Sequence, residues 1–306
     1  MNYNKKEADD KTMLELILSN RSFLMGVAMI MVIVYHLFCW VYNPIGIFNI
    51  GYIGVDVFLF LSGLGLSYSY EKNSIVHFYK NRIKRIYPIY LLSVLATYII
   101  FKLNWSTFDL FANIFTIGLY TKSGEYRYDW YLESLFSLYI LFPIIYNYGK
   151  TKMIGVAIVL VFITIFLYYY NVSWWYECIL GRLPIFIYGV IFKEQAKSYK
   201  ITCIIGLLFF LPCFRSISPF LAVSGLTIPL IIFSLKLINI TPNKLYGLIS
   251  YVGVHSLEFY LANLFVYWTY ESGCYTLKER LVIFISIQTI ATAFLIITNK
   301  ILYIAK

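Results

Sequence analysis

The sequence predicts an all-α fold, a polytopic membrane bundle of about ten transmembrane helices with both termini in the cytoplasm. Three observations support this prediction. The 306-residue chain is 60% hydrophobic and only 13% charged, which is not a composition of soluble domains. Apolar runs close to the roughly 20 residues that cross a bilayer recur along the chain. Basic residues concentrate in alternate connections between these runs.

Hydropathy divides the chain into two parts. Residues 1–21 are mostly polar and form a predicted cytoplasmic segment, and residues 22–304 form a single transmembrane domain. The predicted spans within that domain are 22–42, 51–70, 87–104, 130–148, 153–170, 179–192, 201–215, 218–238, 250–270 and 281–304.

Two apolar segments differ from an ordinary span. The sixth predicted span is short and contains Arg182 and Pro184. Residues 107–120 are apolar but are interrupted by Asp109 and Asn113. We therefore predict that residues 107–120 are interfacial or re-entrant and do not cross the membrane.

The positive charge of the chain is a topology signal. With a cytoplasmic N-terminus, 18 of the 25 Lys and Arg residues fall in the inner segments, and six fall in the outer ones. This asymmetry is the positive-inside pattern, so the net charge of +10 predicts no nucleic-acid partner. The five cysteines form no CxxC pair and no metal-ligand spacing with histidine, and we predict no metal site.

His36 and Asp56 are the candidate catalytic pair. His36 lies in the first span, roughly 9 Å from its outer end, and Asp56 lies roughly 8 Å into the second span from the same side. Ionisable side chains inside spans are costly and usually functional. A carboxylate beside an imidazole suits a general base. The alternative is a histidine that only hydrogen-bonds to a neighbouring helix.

Other polar residues predict a pocket in the outer half of the bundle. Glu133 and Trp130 lie at the outer end of the fourth span, and Arg182 lies near the outer end of the sixth. These three are candidate substrate-binding residues. The alternatives are a salt-bridge network that only joins helices, for Glu133 and Arg182, and an interfacial aromatic belt, for Trp130.

Six motifs in order resemble those of the membrane acyltransferase 3 family, and the resemblance covers nearly the whole chain. They are Gly26 and Ala28 before Val34-Tyr35-His36; Gly54 to Phe58 before Leu61-Ser62-Gly63; the basic stretch Phe78 to Pro88; Trp130-Tyr131-Leu132; Gly181 to Phe186 with Gly189; and Gly253, Ser256-Leu257-Glu258 and Tyr260-Leu261.

Two positions depart from the family pattern. The family commonly has Arg or Lys eleven residues before the histidine, where this chain has Met25, and Arg21 lies four residues earlier. Arg21, Met25 and His36 fall within about 60° of one helix face, so Arg21 could act from one turn lower, or serve only as a topology anchor. The family often has a histidine where this chain has Asn263, which is not a base.

The resemblance implies an O-acyltransferase of the bacterial cytoplasmic membrane. It would move an acyl group, commonly acetyl, from cytoplasmic acyl-coenzyme A to a hydroxyl of a cell-surface polysaccharide or its lipid-linked precursor. Phosphate groups of the donor need cations, for which Arg21, Arg82 and Arg85 are candidates, with Ser62 near the pantetheine arm. For Arg82 and Arg85 the alternative is plain positive-inside charge, and for Ser62 it is a packing or hydrogen-bonding role. The alternatives are a transporter of lipid-linked sugars and a non-enzymatic component of polysaccharide assembly.

Overall fold

In the computed structural model, the described part of the chain is built from helices and contains no strand, which confirms the all-α prediction. The structure describes residues 12–42, 51–101, 103, 105–121, 130–171, 179–210, 219–271, 273 and 275–304. The first 11 residues of the predicted cytoplasmic segment lie outside this set.

Fourteen α-helices are described, together with three short turns of other helix types. They are α1 (Met13–Ser19), α2 (Arg21–Leu37), α3 (Ile53–Lys72), α4 (Ile75–Ile100), α5 (Thr107–Ile114), α6 (Trp130–Asn147), α7 (Lys150–Tyr169), α8 (Leu183–Gln195), α9 (Tyr199–Phe209), α10 (Pro219–Gly225), α11 (Thr227–Ile238), α12 (Asn243–Val254), α13 (Ser256–Glu271) and α14 (Leu277–Ile304). A π-helical turn, Phe38–Tyr42, continues α2, and 3₁₀ turns occur at Gly118–Tyr120 and Ala196–Ser198.

Five of the described helices are long and apolar enough to cross a membrane. They are Arg21–Trp40, Ile53–Lys72, Ile75–Ile100, Lys152–Tyr169 and Leu277–Leu302. These correspond to the first, second, third, fifth and tenth predicted spans. The count of ten spans and the cytoplasmic placement of both termini stay predictions.

Two predicted spans are each divided into two helices. The eighth consists of α10 and α11, separated at Leu226. Pro229 accounts for this break, since its ring lacks an N–H and clashes with the carbonyl four residues earlier, at Gly225, where α10 ends. The ninth consists of α12 and α13, separated at His255, and it begins earlier than predicted, at Asn243.

The third predicted span also differs from the structure. It begins earlier than predicted and includes the basic stretch, since α4 runs unbroken from Ile75 through Pro88 to Ile100. Ser74 caps this helix, and its hydroxyl accepts from the His77 N–H at 3.4 Å.

The segment 107–120 is too short to cross the membrane, as predicted. Its polar residues begin a helix: Ser106 and Asp109 form a capping box, in which the Ser106 N–H donates to Asp109 Oδ2 at 3.1 Å. The Tyr90 hydroxyl donates to the Asn113 carbonyl at 2.8 Å and holds α5 against α4.

The chain forms two compact units. The first contains residues 1–32, 50–72 and 142–254, and the second contains residues 33–49, 73–141 and 255–306. In the first unit α3 packs closely on α8. A Cβ added at Gly63 would lie 2.4 Å from the Phe186 carbonyl oxygen. A Cβ added at Gly189 would lie 2.2 Å from the Phe60 carbonyl oxygen. The two glycines therefore permit backbone-to-backbone packing, which is their packing role in membrane bundles.

In the second unit α13 packs against α14 and α4. Val266 of α13 and Phe284 of α14 form a buried cluster. Apolar side chains that pack against this cluster are Ile33, Leu37, Trp40, Tyr270, Leu281 and Ile287. The end of α2 and the π-helical turn are thus anchored on α13 and α14.

We expect Gly189→Ala to lower the free energy of unfolding by about 1–3 kcal/mol, because the new Cβ meets backbone atoms that cannot rotate away. Gly155 lies within α7 with nothing within 4 Å of an added Cβ, so Gly155→Ala should be neutral or stabilising, by up to about 1 kcal/mol. Thermal unfolding in detergent measures both. Equal effects of the two substitutions would contradict close packing at Gly189.

Candidate active site

His36 lies at the end of a membrane-spanning helix, where the backbone changes its hydrogen-bonding pattern. It is the penultimate residue of α2, and the π-helical turn begins two residues later. The imidazole is partly exposed and stacks on the Trp40 indole, with ring centroids 4.4 Å apart and planes 5° from parallel. Single π-helical turns within helices are frequent at functional sites. The turn and the stack together fix the plane of the ring.

Trp40 is itself held in place by the second unit. Its ring contacts those of Tyr267, Tyr270 and Phe284, at centroid distances of 6.0, 6.5 and 6.2 Å. Its backbone carbonyl accepts a hydrogen bond from Arg280 Nη1 at 3.1 Å. The surface against which His36 stacks is therefore rigid.

Asn263 of α13 is the polar neighbour of His36 in the same unit. Its side chain is 3% exposed, and its amide interacts with the imidazole. The sequence identified Asn263 only as a departure from the family pattern. Its position beside His36 is decided by the packing of α13 against the end of α2.

Asp56 lies in the first unit and has a partner that the sequence did not predict. The Arg182 Nε atom is 3.5 Å from Asp56 Oδ2, and the side chains of Arg182 and Asp56 are 2% and 0% exposed. The Ser224 hydroxyl also interacts with the carboxylate, and the Tyr52 ring centroid lies 5.1 Å from the guanidinium carbon. The predicted pairing of Asp56 with His36, which belong to different units, stays a prediction.

Arg182 therefore has a structural partner, whatever its role toward substrate. It immediately precedes α8 at the N-cap position, and α8 is the helix whose Gly189 allows close packing on α3. That packing brings Arg182 to Asp56. The ion pair with Asp56 agrees in kind with the alternative of a salt bridge joining helices.

Two residues predicted to contact the donor occur close together in the first unit. The Arg21 guanidinium donates from Nη2 to the Leu61 carbonyl at 3.5 Å, next to Ser62 in the chain. A Cβ added at Gly65 would lie 3.3 Å from the same Nη2 atom. Because glycine has no side chain, the guanidinium can lie against α3 at this position. Arg21 is thus more than a charge at a helix end, because it packs on the helix that carries Ser62.

Arg82 and Arg85 lie in the first turns of α4, in the second unit. The Arg82 guanidinium carbon is 4.3 Å from the Phe78 ring centroid, and Nη1 donates to the Phe78 carbonyl at 3.4 Å. Arg85 is exposed. Phe78 orients Arg82, whereas Arg85 extends into the surroundings, where an anion could reach it.

Glu133 and Trp130 share the first turn of α6, as predicted. Glu133 is fully buried, and Trp130 is partly exposed with its ring 6.2 Å from that of Tyr131. Tyr131 in turn contacts Tyr260 of α13 at 5.3 Å. These contacts anchor the start of α6 on α13 and leave the predicted substrate-binding role untested.

A cavity of about 280 Å³ lies within the first unit, among α7, α8, α9, α10 and α11. Its walls are mainly aliphatic, and the Tyr188 hydroxyl within them donates to Thr202 Oγ1 at 2.8 Å. Because its few polar groups are engaged in the wall, the cavity suits an apolar group and does not suit a sugar or a nucleotide.

The chain belongs to the acyltransferase 3 family, whose model is described as an acyltransferase domain and matches residues 23–299. This confirms the resemblance seen in the motifs. A curated relative, "Putative acetyltransferase ORF330" of Acidianus two-tailed virus, is 29% identical over 144 residues. The match covers 45% of this chain and 44% of that protein, so the chain aligns with less than half of the relative's length. No solved structure matches.

Sequence reasoning missed Trp40 and Tyr52, and it noted Asn263 only as a departure from the family pattern. For Trp40 a signal was present, since residues four apart share a helix face and His36 and Trp40 have that spacing. For Asn263 and Tyr52 the sequence offers only a polar or aromatic residue near an apolar run. Their contacts cross between helices and have no local signature.

Removing one partner of the Asp56–Arg182 pair should destabilise the protein strongly. We expect Asp56→Leu to lower the free energy of unfolding by about 3–5 kcal/mol, because a buried guanidinium then loses its carboxylate. The double variant Asp56→Leu/Arg182→Met should recover a large part of that loss, which denaturant or thermal unfolding in detergent would measure. Strictly additive losses would argue against a coupled pair.

Proposed function

We propose that this protein is a membrane-bound O-acyltransferase. It moves an acyl group, acetyl in the simplest case, from cytoplasmic acyl-coenzyme A to a hydroxyl of a cell-surface polysaccharide or its lipid-linked precursor. The observation that carries the proposal is the His36 imidazole, held by Trp40 at the end of a membrane-spanning helix in a chain of the acyltransferase 3 family. Its setting is a bacterial cytoplasmic membrane.

In the proposed reaction His36 acts as the general base. The acceptor hydroxyl oxygen attacks the thioester carbonyl carbon, and its proton passes to the imidazole. The new C–O ester bond forms as the C–S bond breaks, and the imidazolium returns the proton to the departing thiolate. A histidine serves this exchange because its charge changes near neutral pH. The stack on Trp40 supports the proposal, since it holds the ring in one orientation.

The donor is proposed to bind through cations that match its phosphates. Arg21, Arg82 and Arg85 are assigned to this role, with Ser62 beside the pantetheine arm. Arg21 and Ser62 have support from their common place along α3. Arg85 has support from its exposure at the start of α4.

The acceptor is proposed to contact Trp130 and Glu133 at the start of α6. An aromatic ring can stack on a sugar, and a carboxylate can accept hydrogen bonds from its hydroxyls. Arg182 remains a candidate substrate contact in addition to its role as the partner of Asp56. The sequence makes Asp56 the candidate for orienting His36, and the Asp56→Asn variant tests that candidate.

We expect His36→Ala to abolish acyl transfer, because no other side chain is proposed to accept the hydroxyl proton. Surface glycan from cells that carry the wild-type or variant gene is compared by mass spectrometry, and the variant glycan should lack the mass of one acyl group per modified unit. His77→Ala, at an exposed histidine of α4, is the matched control and should leave the modification intact.

Two outcomes would contradict this proposal. Unchanged glycan with the His36 variant present in the membrane would remove His36 from the chemistry. If the amount of surface glycan fell while the remaining glycan carried its usual acyl groups, the result would favour the transporter or assembly component.

Arg85→Ala should weaken use of acyl-coenzyme A, because its guanidinium is proposed to contact phosphate. We expect KM for the donor to rise by about tenfold, the loss of roughly 1.4 kcal/mol from one charge-assisted contact, with little change in KM for the acceptor. Lys244→Ala, at an exposed lysine in the first turn of α12, is the control for loss of one positive charge. Equal changes in both KM values would contradict a donor-specific role.

A further inference from the structure

The Asn263 side chain has its amide nitrogen and its amide oxygen in different environments. Nδ2 donates to the Phe259 carbonyl at 3.1 Å, within α13. Gln288 Nε2 of α14 donates to the same carbonyl at 2.9 Å. Because a carbonyl oxygen accepts and cannot donate, the end of the Asn263 amide that faces Phe259 is the nitrogen, through one of its two N–H groups, and this fixes the direction of the amide.

The oxygen of that amide is then the end available to His36. Asn263 Oδ1 is buried, and within the described part of the chain it accepts no hydrogen bond of normal geometry. His36 Nδ1 is likewise buried and lacks such a partner among the described residues. Leu37 and Trp40 pack against the cluster that contains Val266, which is three residues from Asn263, so the end of α2 lies against this part of α13. The Asn263 side chain interacts with the imidazole there, and the two buried atoms without a partner are of complementary kind.

We propose that Asn263 is the positioning residue of His36, with Oδ1 accepting the Nδ1–H of the imidazole. This inference rests on the proposed function for its catalytic meaning, although the contact itself can be tested without activity. A neutral imidazole carries one N–H, so a hydrogen on Nδ1 leaves the lone pair on Nε2. Nε2 is then the atom that accepts the hydroxyl proton.

Trp40 and Asn263 restrict the imidazole ring in different ways. The parallel stack on Trp40 fixes the plane of the imidazole but does not distinguish its nitrogens. The Asn263 oxygen makes that distinction, and it stabilises the imidazolium that forms when the proton arrives. An amide does this without a second charge, which would be costly within a membrane-spanning region. Asp56 already has a cationic partner in Arg182.

The tautomer can be measured directly, because the chain contains only three histidines. Protein labelled with ¹⁵N at histidine is reconstituted in lipid bilayers, and the His36 signals are assigned by their loss in His36→Ala. His77 is exposed, and His255 Nδ1 lies 3.9 Å from Glu258 Oε2, so the three rings have different surroundings. We expect the hydrogen of neutral His36 on Nδ1. A hydrogen on Nε2 in the wild-type protein would overturn the proposal without any variant.

The second part of the test is substitution of Asn263. Asn263→Leu should remove the preference for Nδ1–H and lower kcat by about 100-fold with little change in either KM, since orientation and not binding is lost. Asn263→Asp keeps an acceptor oxygen of the same reach and should retain both the tautomer and more activity than the Leu variant. Ser93→Ala, at a buried hydroxyl of α4 in the same unit, controls for loss of a buried polar group and should retain both.

The remaining outcomes separate this inference from the proposed function. An Nδ1–H tautomer that is unchanged in Asn263→Leu, or that is lost in Asp56→Asn instead, would overturn the role of Asn263. An Nδ1–H tautomer that is lost only with Asn263, in a protein that transfers no acyl group, would support the contact and reject the proposed function.

Discussion

The requirement that buried polar groups find partners inside apolar helices shapes both units of this protein. In a lipid environment an unsatisfied donor, acceptor or charge costs several kcal/mol, because water cannot replace the missing partner. In the first unit Asp56 and Arg182 form an ion pair, and close packing at Gly63 and Gly189 brings their helices together. In the second unit the Phe259 carbonyl accepts hydrogen bonds from two side-chain amide nitrogens at once.

The candidate base, His36, meets the requirement for a partner in a different way. His36 is supported mainly by an aromatic face, and the π-helical turn after α2 places Trp40 beneath the imidazole. Stacking restricts the ring without engaging its nitrogens, so Nε2 stays available for proton exchange while Nδ1 is the atom proposed to donate to Asn263. The local departure from α-helical geometry is therefore consistent with a chemical role.

The residues assigned to one reaction are distributed over both units. Arg21, Ser62, Asp56 and Arg182 belong to the first unit, whereas His36, Arg82, Arg85, Trp130 and Glu133 belong to the second. Helices α2 and α6 each contribute residues to both units. The family match extends over residues 23–299 and so includes residues of both units.

The sequence by itself determined the fold class, the membrane-spanning character of several helices, the family, and His36 as the residue to examine. Each of these depends on local hydropathy, on motif order, or on an ionisable residue within an apolar run. Only the tertiary structure decided three other features. These are the π-helical turn that continues α2, the ion pair of Asp56 with Arg182, and the place of Asn263 beside His36. A hydrogen bond or ion pair depends on which helices meet and in what register, and residues 56 and 182, or 36 and 263, are too far apart in the chain for any local pattern to relate them.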